Sequence, residues 1–165
     1  METDEKIFEG LDLKSEFLCS AAIFVAENSP GPIGTPWGMR MLGYISWGEF
    51  EGPKLKGRVL EGGGDWITMA NDNPGRMKPD VRAVWETHDG AKLYLTYTGR
   101  IIQPAPSADG TPRDPSQVDP SEYYFRVAPT FETADDRYAW LNEVQAIGVG
   151  RFLGGGIAYR IYAIT

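Results

Sequence analysis

Asp80-Val81-Arg82-Ala83-Val84-Trp85-Glu86-Thr87, then His88-Asp89-Gly90, then Ala91-Lys92-Leu93-Tyr94-Leu95-Thr96-Tyr97, is the stretch that decides the fold. Two runs of alternating polarity flank a short polar turn, which reads as a β-hairpin. A bare two-residue Asp-Gly turn would set Arg82 opposite Tyr97 on a mixed face. A type I turn centred on His88 and Asp89, with Gly90 as the left-handed bulge residue, separates the faces. Val81, Ala83 and Trp85 then face Leu93, Leu95 and Tyr97, and Asp80, Arg82 and Glu86 share the other face with Lys92, Tyr94 and Thr96. This register also sets Glu86 against Lys92, so it is the one predicted.

Outward from the hairpin, further strands are predicted over Phe17–Ala26, Met39–Trp47, Leu55–Leu60, Tyr123–Thr133, Val144–Phe152 and Ile157–Ile164. Asp65 to Met69 continues past the glycines that follow Leu60. Loops rich in Pro and Gly separate them, notably 27–36, 71–79 and a long Pro-rich insert over 103–121, expected to be a lid or binding loop. Thr133-Ala134-Asp135-Asp136 reads as the cap and first turn of one short helix holding Tyr138, Trp140 and Leu141. Eight to nine strands in one domain, 1–165, predict an all-β fold: a single antiparallel β-barrel, which leaves no sheet edge exposed. Residues 1–10 read as a flexible, charged lead-in. Phe17–Ala26 is apolar on both alternating faces, which points to barrel interior on one side and a homo-oligomer interface on the other.

The totals fit this reading. The chain has 165 residues, 42% of them hydrophobic, with 20 Gly and 12 Pro, as many short strands and tight turns require. Five Trp and eight Tyr are many for so small a chain, which implies either a heavy core or a cavity lined with rings that would take a small hydrophobic or aromatic ligand. A net charge of −7 argues against nucleic acid and anionic membrane as partners. With one Cys and one His, no intrachain disulfide and no multi-His or multi-Cys metal site can form. No apolar run is long enough to span a bilayer, and a cytoplasmic setting is expected.

Leu60-Glu61-Gly62-Gly63-Gly64-Asp65-Trp66 carries the strongest local signal. Three glycines allow positive φ or close passage past another segment, at an entropic cost. That cost immediately before Asp65 and Trp66 implies that those side chains are aimed. Asp65 is a candidate general acid or base; the alternative is an Asp that fixes the turn by accepting from backbone N–H groups.

Several blocks in order resemble a known family: Gly57-Arg58-Val59-Leu60, Gly63-Gly64-Asp65-Trp66, Asp80-Val81-Arg82, Thr87-His88-Asp89-Gly90-Ala91, Asp119-Pro120-Ser121-Glu122-Tyr123-Tyr124-Phe125-Arg126 and Arg137-Tyr138-Ala139-Trp140-Leu141-Asn142. Together they resemble domain-of-unknown-function family 3237, small uncharacterised proteins of bacteria and fungi. The resemblance implies a calycin-like or allene-oxide-cyclase-like barrel and no common reaction. Glu61, Ala83, Trp47 and Tyr97 depart from the family pattern, which implies a ligand different from the relatives' ligands.

The remaining candidates follow from strand faces. Asp80 and Arg82, two residues apart on one strand face, are candidates to clamp a carboxylate, phenolate or enolate, Asp80 as a ligand-binding group, or else part of an ion-paired outer face with Glu86 and Lys92. Tyr124 and Arg126 are candidates for stabilising charge on a substrate oxygen, or else a polar ladder on the solvent side. Trp66, Trp85, Trp140, Tyr97, Arg40 and Asn142 complete the ligand-binding set, with core packing and helix capping as the competing roles. His88 is expected to be exposed at the turn, and Cys19 buried and inert. These features predict a cofactor-independent small-molecule enzyme using acid/base chemistry, an isomerase, cyclase, dehydratase or lyase. Asp65, Arg82, Tyr124 and Arg126 would be the catalytic groups. The alternatives are a non-catalytic carrier, or a barrel filled by its own side chains.

Overall fold

Along Asp80–Thr87 and Lys92–Ile102 every second side chain is buried, as the hairpin pattern requires. Ala83 pairs with Leu95, Trp85 with Leu93 and Glu86 with Lys92, so the register is the predicted one. Gly90 takes the left-handed conformation at φ 89°. The inner face carries Val81, Ala83, Trp85, Leu93, Leu95 and Tyr97, all 5% exposed or less.

The computed structural model describes residues 5–165. The strands are β1 (Ser15–Val25), β2 (Ile33–Thr35), β3 (Gly38–Glu51), β4 (Lys56–Val59), β5 (Gly64–Met69), β6 (Arg76–Lys78), β7 (Asp80–Thr87), β8 (Lys92–Ile102), β9 (Tyr124–Glu132), β10 (Ala146–Leu153) and β11 (Gly156–Ile164). Every pairing is antiparallel, and β1 pairs with both β11 and β3, which closes the sheet into a barrel. Ten strands form the wall, and β2 adds a short arm hairpinned on β3. The expected count of eight to nine is therefore too low. The reason is that two wall positions are each held by two short strands. β4 and β5 both lie between β3 and β7, and β6 and β7 both pair with β8.

The expected helix is a 3₁₀ helix, Asp136–Glu143, capped by Asp135. It latches across one end of the barrel. Tyr138 donates to Asp89 at 3.0 Å, Arg137 pairs with Asp89 at 2.8 Å, and Leu141 is fully buried beneath. The lead-in expected over residues 1–10 lies partly outside the described residues; within them Glu5–Phe8 form a 3₁₀ turn. In the 103–121 segment, Asp114 and Asp119 cap two 3₁₀ turns and Val118 is buried. Among the described residues, no helix is long and apolar enough to cross a membrane. Cys19 is fully buried, and burial pushes its thiol up to about 12, so it packs as a small hydrophobe.

Candidate functional site

The glycines after Leu60 break one wall position into β4 and β5. Gly62 takes φ 99°, and a Cβ on Gly63 would sit 2.5 Å from the Arg82 carbonyl oxygen. Only glycines allow this tight passage. β5 then restarts at Gly64, and Asp65, paired with Val81, turns its side chain inward. Next door, the fully buried Pro79 breaks β6 from β7, because it has no N–H for a ladder bond. The amide that follows, Asp80 N–H, donates to Asp65 Oδ1 at 2.9 Å. Two adjacent strand breaks thus hold one carboxylate.

That carboxylate faces a cavity of about 320 Å³ at the end of the barrel opposite the 3₁₀ helix. Such a volume lies at the small end of the about 300–1,000 Å³ typical of ligand sites. Its walls are mainly apolar, with Ile23, Ile67, Val81, Ile101, Phe125 and Phe152 among them. Tyr97 also lines it, and its hydroxyl lies 3.1 Å from that of Tyr159. A Cβ at Gly150 would meet the Phe125 ring at 2.6 Å, so the bare backbone of β10 lets that ring lie flat against the wall. At the mouth, Ser29 and Pro30 come from the 27–36 loop, and Ser29 Oγ accepts from Tyr44 N–H at 2.9 Å.

The electrostatics follow from this enclosure. Removal from water pushes the Asp65 carboxyl up to about 7; the Asp80 amide pulls it down, and the Asp80 charge adds to the rise. Asp65 is half-buried and lines the cavity. Burial raises the Tyr97 phenol above its usual range, and the charge of Asp65 adds to this against the bond to Tyr159. Tyr159 is raised in the same way, chiefly by burial. One neutral phenol, Tyr97, and one carboxyl poised near neutrality therefore share this apolar chamber, and Tyr159 reaches it only through its contact with the Tyr97 hydroxyl.

Of the sequence candidates, Asp65 and Tyr97 meet at this cavity. The others are placed elsewhere. Trp66 follows Asp65 in β5 and so points to the opposite face; it is 42% exposed on the outer wall, with the Arg82 guanidinium 5.8 Å from its ring. Asp80 and Arg82 pair with each other on that outer wall at 3.0 Å. Tyr124 and Arg126 flank the inward Phe125 and point out, the guanidinium 5.0 Å from the phenol ring. Their expected position beside a ligand inside the barrel is thus corrected by the two-residue period of a strand. Arg40 is outside as well, bonded to Thr68. Trp85 is buried in the packed end, 4.4 Å from Phe50. Trp140 packs by Lys54 at 5.7 Å, and Asn142 clasps Thr133, accepting from its N–H at 2.9 Å and donating to its carbonyl at 3.0 Å.

The sequence reading did not single out Phe125 and Phe152, which line the cavity, or Tyr159, which stands behind it against Tyr97. Alternation along Tyr124–Glu132 and Gly156–Ile164 carries the signal, since Phe125 and Tyr159 each occupy the more apolar phase. In the 103–121 segment, among the described residues, Gln103 alone lines the cavity.

The model of the family described as "Protein of unknown function (DUF3237)" matches residues 13–164. The chain belongs to this family. A UPF0311 protein of Clostridium acetobutylicum is 34% identical over 128 residues, covering 78% of this chain and 79% of its own. Among solved structures, a β-barrel-like protein of Acinetobacter baumannii superposes with a TM-score of 0.79 at 31% identity, over 93% of this chain and 97% of the other. A protein of Penicillium herquei described as an enzyme shares the fold with a TM-score of 0.59 at 22% identity, over 93% and 95% of the two chains. The family thus supplies the DUF3237 barrel and leaves the chemistry to be argued from the cavity.

Proposed function

We propose that the protein is a small-molecule enzyme working by proton transfer without a cofactor. Its substrate would be largely apolar, would carry a hydroxyl or carbonyl oxygen, and would undergo isomerisation, cyclisation, dehydration or lyase cleavage. The observation that carries this reading is a carboxyl raised to about 7 that faces an apolar cavity. Near neutral pH such a group exists in both protonation states, so it can take a proton from one atom of a substrate and return it to another. Tyr97 holds the substrate oxygen. When Tyr159 donates to Tyr97, the Tyr97 proton is free to point at an oxygen gaining negative charge. Phe125 and Phe152 shape the apolar part and exclude water. Arg82, Tyr124 and Arg126 have no part in this scheme, because they lie outside the barrel.

The described enzyme of Penicillium herquei shares this fold, and at 22% identity that likeness carries the fold alone. A cytoplasmic setting belongs to the same reading. So does self-association through the outer face of β1 and β3, where Phe24 and Trp47 stack at 4.4 Å.

The test needs no knowledge of the net reaction. Small hydroxy- and keto-aromatics are incubated with the protein in D2O, and solvent deuterium entering their C–H positions is followed by mass spectrometry. Catalysed exchange is expected for at least one compound, with a loss of about 10²–10⁴-fold in Asp65→Asn. Equal exchange by the variant would remove Asp65 from the mechanism. Retention of an unaltered ligand with no exchange would make the protein a carrier.

A further inference from the structure

The outer wall carries a second concavity, about 730 Å³, which shares only Leu42 and Ile67 with the lining of the inner cavity. Arg40, Lys78, Arg100, Thr68, Trp66 and Asp80 line it. Their alignment is a consequence of register. Arg40 pairs with Thr68, Thr68 with Lys78, and Arg100 with Arg126, while Met77 beside Lys78 pairs with Ile101 beside Arg100. One outward residue from each of β3, β5, β6, β8 and β9 therefore falls in a single row, and four of the five are cations. At about 4.8 Å per strand the row spans on the order of 20 Å.

These four cations differ from most others in the chain. Arg58, Arg76, Arg82, Arg113, Arg137, Lys54, Lys56 and Lys92 each pair with a carboxylate. Among the described residues, Arg40, Lys78, Arg100 and Arg126 have no such partner. Arg40 donates to Thr68, and Arg100 and Arg126 donate to the carbonyls of Gly99 and Phe125, at 2.8 and 2.9 Å. Like charges directly opposite across a ladder are destabilising. A chain with 23 acidic and 16 basic side chains has acids to spare, yet among the described residues none pairs with this row. The one acid lining the groove, Asp80, is already paired with Arg82.

We propose that this groove is a binding site for a small aromatic phosphate ester. The phosphate dianion sits among Arg40, Lys78 and Arg100, with the Thr68 and Thr98 hydroxyls beside it, and the ring lies along the exposed indole of Trp66. Charge matching selects the class: three cations lining one groove suit a dianion better than a single carboxylate, and the guanidinium fork matches phosphate geometry. The site is independent of the chemistry proposed inside the barrel.

Titration calorimetry at low ionic strength with 1-naphthyl phosphate as probe tests it. The expected result is saturable 1:1 binding, weakened about tenfold or more by Arg100→Ala and by Lys78→Ala. Arg113→Ala, a paired cation away from the groove, and Asp65→Asn, inside the barrel, are expected to leave it unchanged. Binding unaffected by Arg100→Ala, binding matched by 1-naphthol, or no saturable binding would overturn the assignment. So would tighter binding of a single-stranded octanucleotide at the same salt, which would make the row a strand-binding track. Both lysine and arginine variants are at exposed positions, and circular dichroism checks that they fold.

Discussion

At the end of the barrel that carries the His88–Gly90 turn, Phe50 stacks on Trp85 at 4.4 Å, Phe131 meets Trp85 edge-on at 5.9 Å, and Leu141 closes the axis. At the other end the same inward phase of the strands supplies Asp65, Tyr97, Phe125 and Ile101 around an opening. The wall is continuous between them, so the difference lies in what interrupts it. At the packed end β7 and β8 run unbroken into a tight turn, and large side chains from facing strands interdigitate. At the open end two neighbouring wall positions are split, one by Gly62 to Gly64 and the other by Pro79. Each split removes ladder bonds and frees an amide or a side chain for other use. The packed end supplies stability, and the open end can then hold a buried carboxyl, which costs stability.

Trp85→Ala should show the largest effect on folding. Removing a fully buried ring that touches two others is expected to cost about 3–5 kcal/mol in urea unfolding. A loss below about 1 kcal/mol would mean that the two ends are not energetically different.

Asp65→Asn should act in the opposite direction, and its effect depends on pH. The folded-state value of about 7 lies above the ordinary 3.8, so between these pH values the folded protein keeps a proton that the unfolded chain has released. Stability from this group is therefore full below about pH 4 and falls as pH rises to about 7. The Asn variant keeps an acceptor for the Asp80 amide and has no charge to bury. It should gain over the parent by about 1.4 kcal/mol for each pH unit between pH 4 and pH 7, and level off above that at no more than about 4 kcal/mol. A pH-independent difference would contradict the enclosure of the carboxyl.

Tyr97→Phe is the smallest of the three. It leaves the buried Tyr159 hydroxyl without its partner, for a cost of about 1–3 kcal/mol. A loss equal to that of Trp85→Ala would mean that the paired hydroxyls at the open end stabilise the fold as much as the stacked rings at the other.

Much of the packed end was legible in the sequence. The Thr87–Ala91 turn fixes the hairpin register, and a period of two then separates Val81, Ala83 and Trp85 from Asp80, Arg82 and Glu86. Asp65 was legible because three glycines precede it. The cavity around it was not, because β1, β3, β5, β8, β9 and β10 each contribute only one or a few side chains, and their alignment depends on closure of the sheet. Adjacent residues such as Asp65 and Trp66 cannot share a chamber in an extended strand, and the candidate Tyr124 is turned outward by the same rule that turns Phe125 in. The same period that hides Trp66 and Arg126 from the interior gathers Arg40, Lys78 and Arg100 on the outside, a row that appears only once the strands are in register.

The most direct measurement is the titration of the Asp65 carboxyl carbon by NMR in protein labelled at aspartate, assigned by its absence in Asp65→Asn. A midpoint near 7 is expected, well separated from the other aspartates. A midpoint near 4 would place that carboxyl in ordinary solvent and contradict the enclosed acid on which the proposed chemistry depends.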